Sequence, residues 1–263
     1  MGLVGDDSIA EILTTKMKDK KMELKRIVSI HGNSGSTTIK LDENGERTIE
    51  RNQSVTSELP NQIGIYFRDN ILRESIIHIK VNIDTFIQIT KYAKNIFSID
   101  ISELTQSKNK RLITDLLMNE KGQIRIKIIF GNTDEFNDLM QIFEIQDIFN
   151  SEMTINNHIS TLKDIKYRFN ADYLFIKRGK HGASLYYDEK CFNIEAKNIK
   201  VIDTTGAGDA FNAGAIYGIL TFTNNPELIL KMAVELGSLN CLSYGGQEFG
   251  GFEEFKKKYI LNV

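Results

Sequence analysis

Residues 201–218 read VIDTTGAGDAFNAGAIYG, which puts Asp209 directly after Gly206-Ala207-Gly208 and ahead of a helix-like run of small residues. Glycines at such a point let the backbone turn sharply and bring amide N–H groups close to a ligand. Free amides at the positive end of a helix form an anion site. A carboxylate beside that site would repel a phosphate. Asp209 makes sense there if it accepts a proton from a hydroxyl that attacks the phosphate. The amides of Gly206, Ala207 and Gly208 would then stabilise charge on the phosphoryl group in transit. The plainer reading is that Asp209 caps a helix and the glycines only make a turn. The sequence carries no Walker A loop, no protein-kinase motif set and no early G-x-G-x-x-G, so those nucleotide-binding classes are disfavoured.

Such a loop has to be held at the end of a strand. In open α/β sheets, ligands bind beyond the carboxyl ends of strands, where loops lead into helices. Lys200–Asp203 (KVID) is predicted as that strand, with a helix over 209–221 behind it. Short Ile-rich runs at 75–81, 96–101 and 124–130, then YLFIK (173–177) and ASLYY (183–187), read as strands buried on both faces. Helical patterns near 83–95, 110–120, 134–144, 157–168 and 226–244 alternate with them. The order predicts an α/β fold, a doubly wound and mostly parallel sheet sandwiched by helices. Ahead of it, 8–20 reads as an amphipathic helix whose Lys16–Lys21 stretch is a solvated face and end. Residues 36–50, with Asn44-Gly45 at the turn, carry a hairpin signal and are expected to stand off the core as a flap. With no internal repeat or low-complexity linker, residues 1–263 are expected to form one domain with a small β lid around 34–52.

Composition narrows the partners. The 263 residues carry 33 basic and 35 acidic side chains, a net charge of −2, and 41% hydrophobic residues. That balance gives no reason to expect nucleic acid or an acidic membrane surface as a partner. Cys191 and Cys241 are the only cysteines, which fits a reducing cytosol, and no apolar run approaches a membrane span. MGLVGDD lacks the order of a signal peptide, so a soluble, cytoplasmic protein is expected. His31, His78, His158 and His181 have no ligand spacing, which disfavours zinc. His78 within SIIHIKV is left open between an acceptor-facing and a sheet-facing position, and Cys241 is expected to pack.

The string DTTGAGDAFNAG resembles the second signature of the PfkB (ribokinase-like) sugar kinases almost residue for residue. The likeness extends over nearly the whole chain. Gly5-Asp6-Asp7 is like the family's GDD element before a helix, and the hairpin with Asn44-Gly45-Glu46-Arg47 looks like part of its lid. Ser98-Ile99-Asp100 resembles the mid-sheet strand that ends in aspartate. Asn132-Thr133-Asp134-Glu135 fits the NxxE motif, which in that family helps organise Mg²⁺ and phosphate, mostly through water. By spacing alone, those four residues would more often be a helix cap. Lys177-Arg178-Gly179-Lys180-His181-Gly182 is similar to the family's loop along the nucleotide, although a glycine turn between strands explains it too. Residues 238–247, with Asn240 and Gly245-Gly246, correspond to the helix and loop beside the adenine, and Thr205 falls on the nucleotide side of the signature.

The resemblance implies an ATP-dependent phosphotransferase acting on a hydroxyl of a small sugar or sugar derivative. Asp209 would be its general base and Mg²⁺ its metal. An aspartate matching Asp203 implies a monovalent cation, K⁺, behind the anion hole. Many relatives pair through their lids, which makes a homodimer an expectation. The stretch SIDIS looks like the fructosamine (fructoselysine) kinase branch; ribose, fructose, a phosphorylated hexose and a nucleoside stay open as acceptors. The chain also departs from the pattern. Relatives begin with a strand ending in an aspartate that holds sugar hydroxyls, followed by lid strands and a GG-x-x-N segment. Neither the aspartate strand nor GG-x-x-N has a match in residues 1–80. The expectation is a kinase domain incomplete at its N-terminus, with apolar sheet surface left uncovered. An incomplete gene model, a truncated protein with weak or no activity, and completion by a partner chain compete as explanations. The rival function is a non-catalytic nucleotide- or sugar-binding regulator derived from a kinase.

Overall fold

Strands whose residues are apolar on both faces need cover on both sides, and helices on each face of a sheet provide it. The computed structural model describes residues 2–41, 47–67, 77–93, 95–105, 111, 114, 125–152, 154–222, 225–246 and 250–260. The chain divides into two compact units, Met1–Glu74 with Asp84–Ala93 and Ser75–Ile83 with Lys94–Val263.

The larger unit is built on a six-stranded sheet. Its strands are β5 (His78–Ile79), β6 (Asn95–Asp100), β7 (Arg125–Asn132), β8 (Tyr173–Lys177), β9 (Ala183–Tyr187) and β10 (Lys190–Ile194). They lie in the order β10-β9-β8-β7-β6-β5; β5 to β8 run parallel, and β9 and β10 antiparallel. Two helices, α3 (Thr133–Ile142) and α4 (Ile159–Phe169), pack on β7 and β8 with Phe136, Leu139, Leu162 and Ile165 buried. Ile128 and Phe130 point to the other face, where α5 (Ala207–Thr221) and α6 (Pro226–Asn240) supply Phe211, Ile229 and Ala233. Phe130 stacks on Phe175 at 5.1 Å, and Phe211 meets both rings edge-on at 6.4 and 6.0 Å. Helices on both faces make this the doubly wound α/β arrangement expected from the sequence.

Two details differ from the sequence expectation. Lys200–Asp203 forms no strand and pairs with none among the described residues. Val201 and Ile202 are 53% and 47% exposed, and the Ile202 N–H donates to the Cys241 carbonyl at 2.8 Å instead of to a neighbouring strand. The end of α6 takes the hydrogen bond that would have extended the sheet. The other difference is β10, an edge strand that the sequence pattern conceals. It returns from β9 through the two-residue turn Asp188-Glu189, both at positive φ (49° and 63°). Hairpin turns of that hand usually carry glycine or asparagine, so Asp-Glu gives little warning. The strand expected over 75–81 is reduced to His78–Ile79, with 75–76 outside the described residues, as is most of the helix expected near 110–120.

The smaller unit pairs β1 (Gly2–Val4) with β2 (Ile27–Ser29) in parallel, and β3 (Thr37–Leu41) with β4 (Arg47–Arg51) in antiparallel register. The hairpin is present as expected, and its Asn44-Gly45 turn lies outside the described residues. Helix α1 (Ser8–Asp19) is capped by Asp7, whose carboxylate accepts the Ala10 N–H at 3.0 Å and the Ser34 hydroxyl at 2.7 Å. The family-like Gly5-Asp6-Asp7 element is therefore a helix cap, as Asx residues favour. All of α2 (Ile83–Thr90) after its first residue also belongs to the smaller unit. Among the described residues no helix is long and apolar enough to cross a membrane.

The last helix, α7 (Phe252–Tyr259), is tied to the larger unit through Glu235. That carboxylate is 8% exposed and accepts from Lys197 at 2.6 Å, Lys258 at 2.7 Å and the Tyr259 hydroxyl at 2.8 Å. Burial would raise its pKa, but the two ammonium groups and the phenol pull it down to about 2. A depressed carboxylate stabilises the fold above its unfolded pKa, and this stability is lost as pH falls through the folded value. The stability gap between the wild type and Glu235→Gln should therefore narrow as pH falls from about 5 towards 2. Urea unfolding across that window checks it; a gap independent of pH would show that the ionised carboxylate is not the group responsible.

Candidate active site

Because β5 to β8 are parallel, their C-terminal ends open on one side, and each delivers a polar residue there. Lys80 follows β5, Asp100 ends β6, Asn132 ends β7 and Lys177 ends β8. These four, with Glu135 and Gly208, line a cavity of about 760 Å³. Its position beyond the strand ends is where an open α/β sheet binds ligands.

The start of α5 forms one wall. Gly206 sits at φ +81°, and a Cβ there would stand 2.7 Å from the Cα of Gly246, so neither strain nor space admits a side chain. The Ala207 N–H turns back onto the Thr204 carbonyl at 3.2 Å, and the first α-type bond runs from Ala210 to Gly206 at 2.9 Å. Between them, the Gly208 and Asp209 amides are the free donors that a helix start presents. Asp203 holds this turn from behind. One of its oxygens accepts the Thr205 N–H and hydroxyl at 2.9 and 2.8 Å, and the other accepts the Gly245 N–H at 2.9 Å. Asn240, fully buried, donates to the Thr205 carbonyl at 2.7 Å. Thr205, Asn240, Gly245 and Gly246 thus brace the glycine turn rather than line the cavity.

Asp209 is not among the lining residues. Its side chain is 62% exposed and reaches lining residue Lys80, carboxylate to ammonium, at 3.0 Å. Burial pulls the Lys80 pKa down, but the hydrogen bond and charge of Asp209 more than offset it and the pKa is raised. Deeper in, Asp100 is 1% exposed and accepts from Lys177 at 2.9 Å, from Asn212 at 2.8 Å and from the Ser102 N–H at 3.1 Å. Burial alone would raise its pKa; the Lys177 charge and the hydrogen bonds from Ser102 and Asn212 hold it well below the usual carboxylate range.

Asn132 and Glu135 form a reciprocal capping box on α3, Glu135 N–H to Asn132 Oδ1 at 2.8 Å and Asn132 N–H to Glu135 Oε2 at 2.7 Å. Spacing alone favoured this cap, and the same two side chains face the cavity. Burial raises the Glu135 pKa. Gly179 and Gly182 line the cavity at the β8–β9 turn, where Gly182 takes φ +88°. His78 is exposed on β5, with its Nδ1 2.8 Å from the Ser98 hydroxyl and its ring edge-on to Phe130.

Sequence reasoning brought Asn132, Glu135, Lys177, Gly179, Gly182, Ala207 and Gly208 to one cavity, and missed Lys80 and Asn212. Asn212 lies three residues after Asp209, on the same helix face, which is a readable signal. Lys80 follows an apolar strand and is tied to Asp209 by nothing in the sequence.

A family model for pfkB family carbohydrate kinases matches residues 1–250. The chain belongs to the PfkB family of carbohydrate kinases. This kinase is 24% identical over 226 residues to an uncharacterised sugar kinase of Archaeoglobus fulgidus, covering 84% of this chain and 82% of that one. It is 21% identical over 252 residues to a fructosamine kinase of Bacillus subtilis, covering 95% and 79% of the two chains. In fold the kinase matches a protein of E. coli described as a ribokinase II, solved with ATP and Mg²⁺, at TM-score 0.74 and 18% identity over 98% and 82% of the two chains. Membership of this family makes it an enzyme that phosphorylates sugars.

Proposed function

We propose that this kinase transfers the γ-phosphoryl group of ATP to a hydroxyl of a small sugar or sugar derivative, with Asp209 as general base. The observation that carries the reading is the Asp209 carboxylate at the opening of α5, beside the free amides of Gly208 and Asp209 and in contact with cavity residue Lys80. A hydroxyl bound against Asp209 would lose its proton to the carboxylate as it attacks. The helix-start amides and Lys177, whose ammonium is 3.5 Å from where a Gly208 Cβ would lie, would meet the charge developing on the phosphoryl oxygens. Gly179 and Gly182 would let the β8–β9 turn run close along the nucleotide, and the Asn240 and Gly245-Gly246 segment would hold the turn that faces it.

Among the described residues no group of three or more His, Cys, Asp or Glu is placed to hold a metal directly. That donor set fits Mg²⁺ arriving on the nucleotide phosphates and held by Glu135 and Asn132 through water, the usual mode for this ion. The ion would supply charge neutralisation between the phosphates. Both carboxylate oxygens of Asp203 already accept hydrogen bonds, so its task in this reading is to tie loops together, and no step runs through K⁺.

The fructosamine kinase relative makes a fructosamine-type acceptor the first to try. Incubating the protein with MgATP and sugars including fructosamines, ribose, fructose and hexose phosphates should give one acceptor whose mass rises by a phosphoryl group. A kinase-derived binding protein would take up ATP and leave every acceptor unmodified.

A further inference from the structure

A carboxylate at the mouth of a polyphosphate site opposes the ligand it serves. Resting on the reading of Asp209 as the base, we infer that Lys80 is a charge-balancing residue that cancels the Asp209 charge while the nucleotide binds.

The two residues lie on different elements, 129 positions apart in sequence, and meet at 3.0 Å. Lys80 follows β5 and lines the cavity; Asp209 opens α5. Among the described residues no other cation lies within ion-pair distance of Asp209. Lys177, the other lysine at the strand ends, is committed to buried Asp100 at 2.9 Å. His78, two residues before Lys80, is lowered in pKa by desolvation and is turned to Ser98. Asp100 and Glu103 act on Lys80 only as further negative charge. The site thus holds two lysine–aspartate pairs: a buried one that fixes the sheet end, and a half-exposed one at the proposed base. The exposed pair is worth little as a stabilising contact. Its effect lies in the local field, because one uncompensated charge next to an anion site acts over several ångströms.

The test is MgATP binding by calorimetry, without acceptor, to the wild type, Lys80→Met, Lys80→Arg, Asp209→Asn and the double variant Lys80→Met/Asp209→Asn. Lys80→Met should bind MgATP about tenfold more weakly, the scale of one unbalanced charge near the phosphates. Lys80→Arg should bind as the wild type does. The double variant, which lacks both charges, should bind within about twofold of the wild type, because the lost cation and the lost anion offset each other. A double variant as weak as Lys80→Met would mean that Lys80 touches the nucleotide itself, and no loss in Lys80→Met would mean that it balances nothing; both overturn the inference. The base assignment fails separately, if Asp209→Asn keeps normal turnover. A wild-type protein that binds no MgATP would overturn both.

Discussion

Asp209→Asn should lose about 10² to 10⁴ in kcat, the range that a positioned general base contributes. It should bind MgATP at least as tightly as the wild type, because the substitution removes a negative charge beside the phosphates. The side chain is 62% exposed and, among the described residues, pairs only with half-exposed Lys80, so stability should change by no more than about 0.5 kcal/mol. Steady-state kinetics separates the two readings of this residue. A base acts in the transition state, so kcat falls while the KM for ATP holds. A residue that only opened the helix would leave kcat intact.

Asp100→Ala should give the largest loss of stability, about 3 kcal/mol, because it strips the partner from a mostly buried ammonium. Lys177 is only 17% exposed, and Asn212 would lose the acceptor of its amide as well. Desolvation opposes any buried pair, so removing both charges is the informative control. Asp100→Leu/Lys177→Met should be less destabilised than Asp100→Ala alone. The direction of the pKa shift adds a pH signature: the Asp100 carboxylate, held low in the fold, contributes above the ordinary carboxylate range and loses that contribution as pH falls below it. Urea unfolding of the three proteins checks this. If Asp100→Ala unfolds at the wild-type midpoint, the buried pair does not hold the strand ends together.

Much of the frame was legible because local and global signals agree. YLFIK and ASLYY are near-continuously apolar, without the regular polar alternation of a strand with one solvent face, and both are strands at the positions read, Tyr173–Lys177 and Ala183–Tyr187. Only five residues separate them, too few for a crossover, which is why they pair antiparallel in an otherwise parallel run. KVID misled because apolar β-branched residues mark a strand only when a neighbour is there to pair with them. Here the carbonyl at the end of α6 receives the Ile202 N–H. The glycine turn at 206–208 was readable from residue type, since positive φ and close approach to Gly246 exclude a Cβ. The partners of Asp209 and Lys177 were not. Lys80 and Asp100 are single charged residues at strand ends, and only the order of strands in the sheet brings each to its partner.

The most direct test of the central claim is ADP release from MgATP, measured with and without sugar acceptor, for the wild type and Asp209→Asn side by side. The account expects acceptor-dependent release by the wild type and a collapse of that release, to about a hundredth or less, in the variant while MgATP is still bound. Acceptor-dependent release at equal rates in both proteins would contradict it.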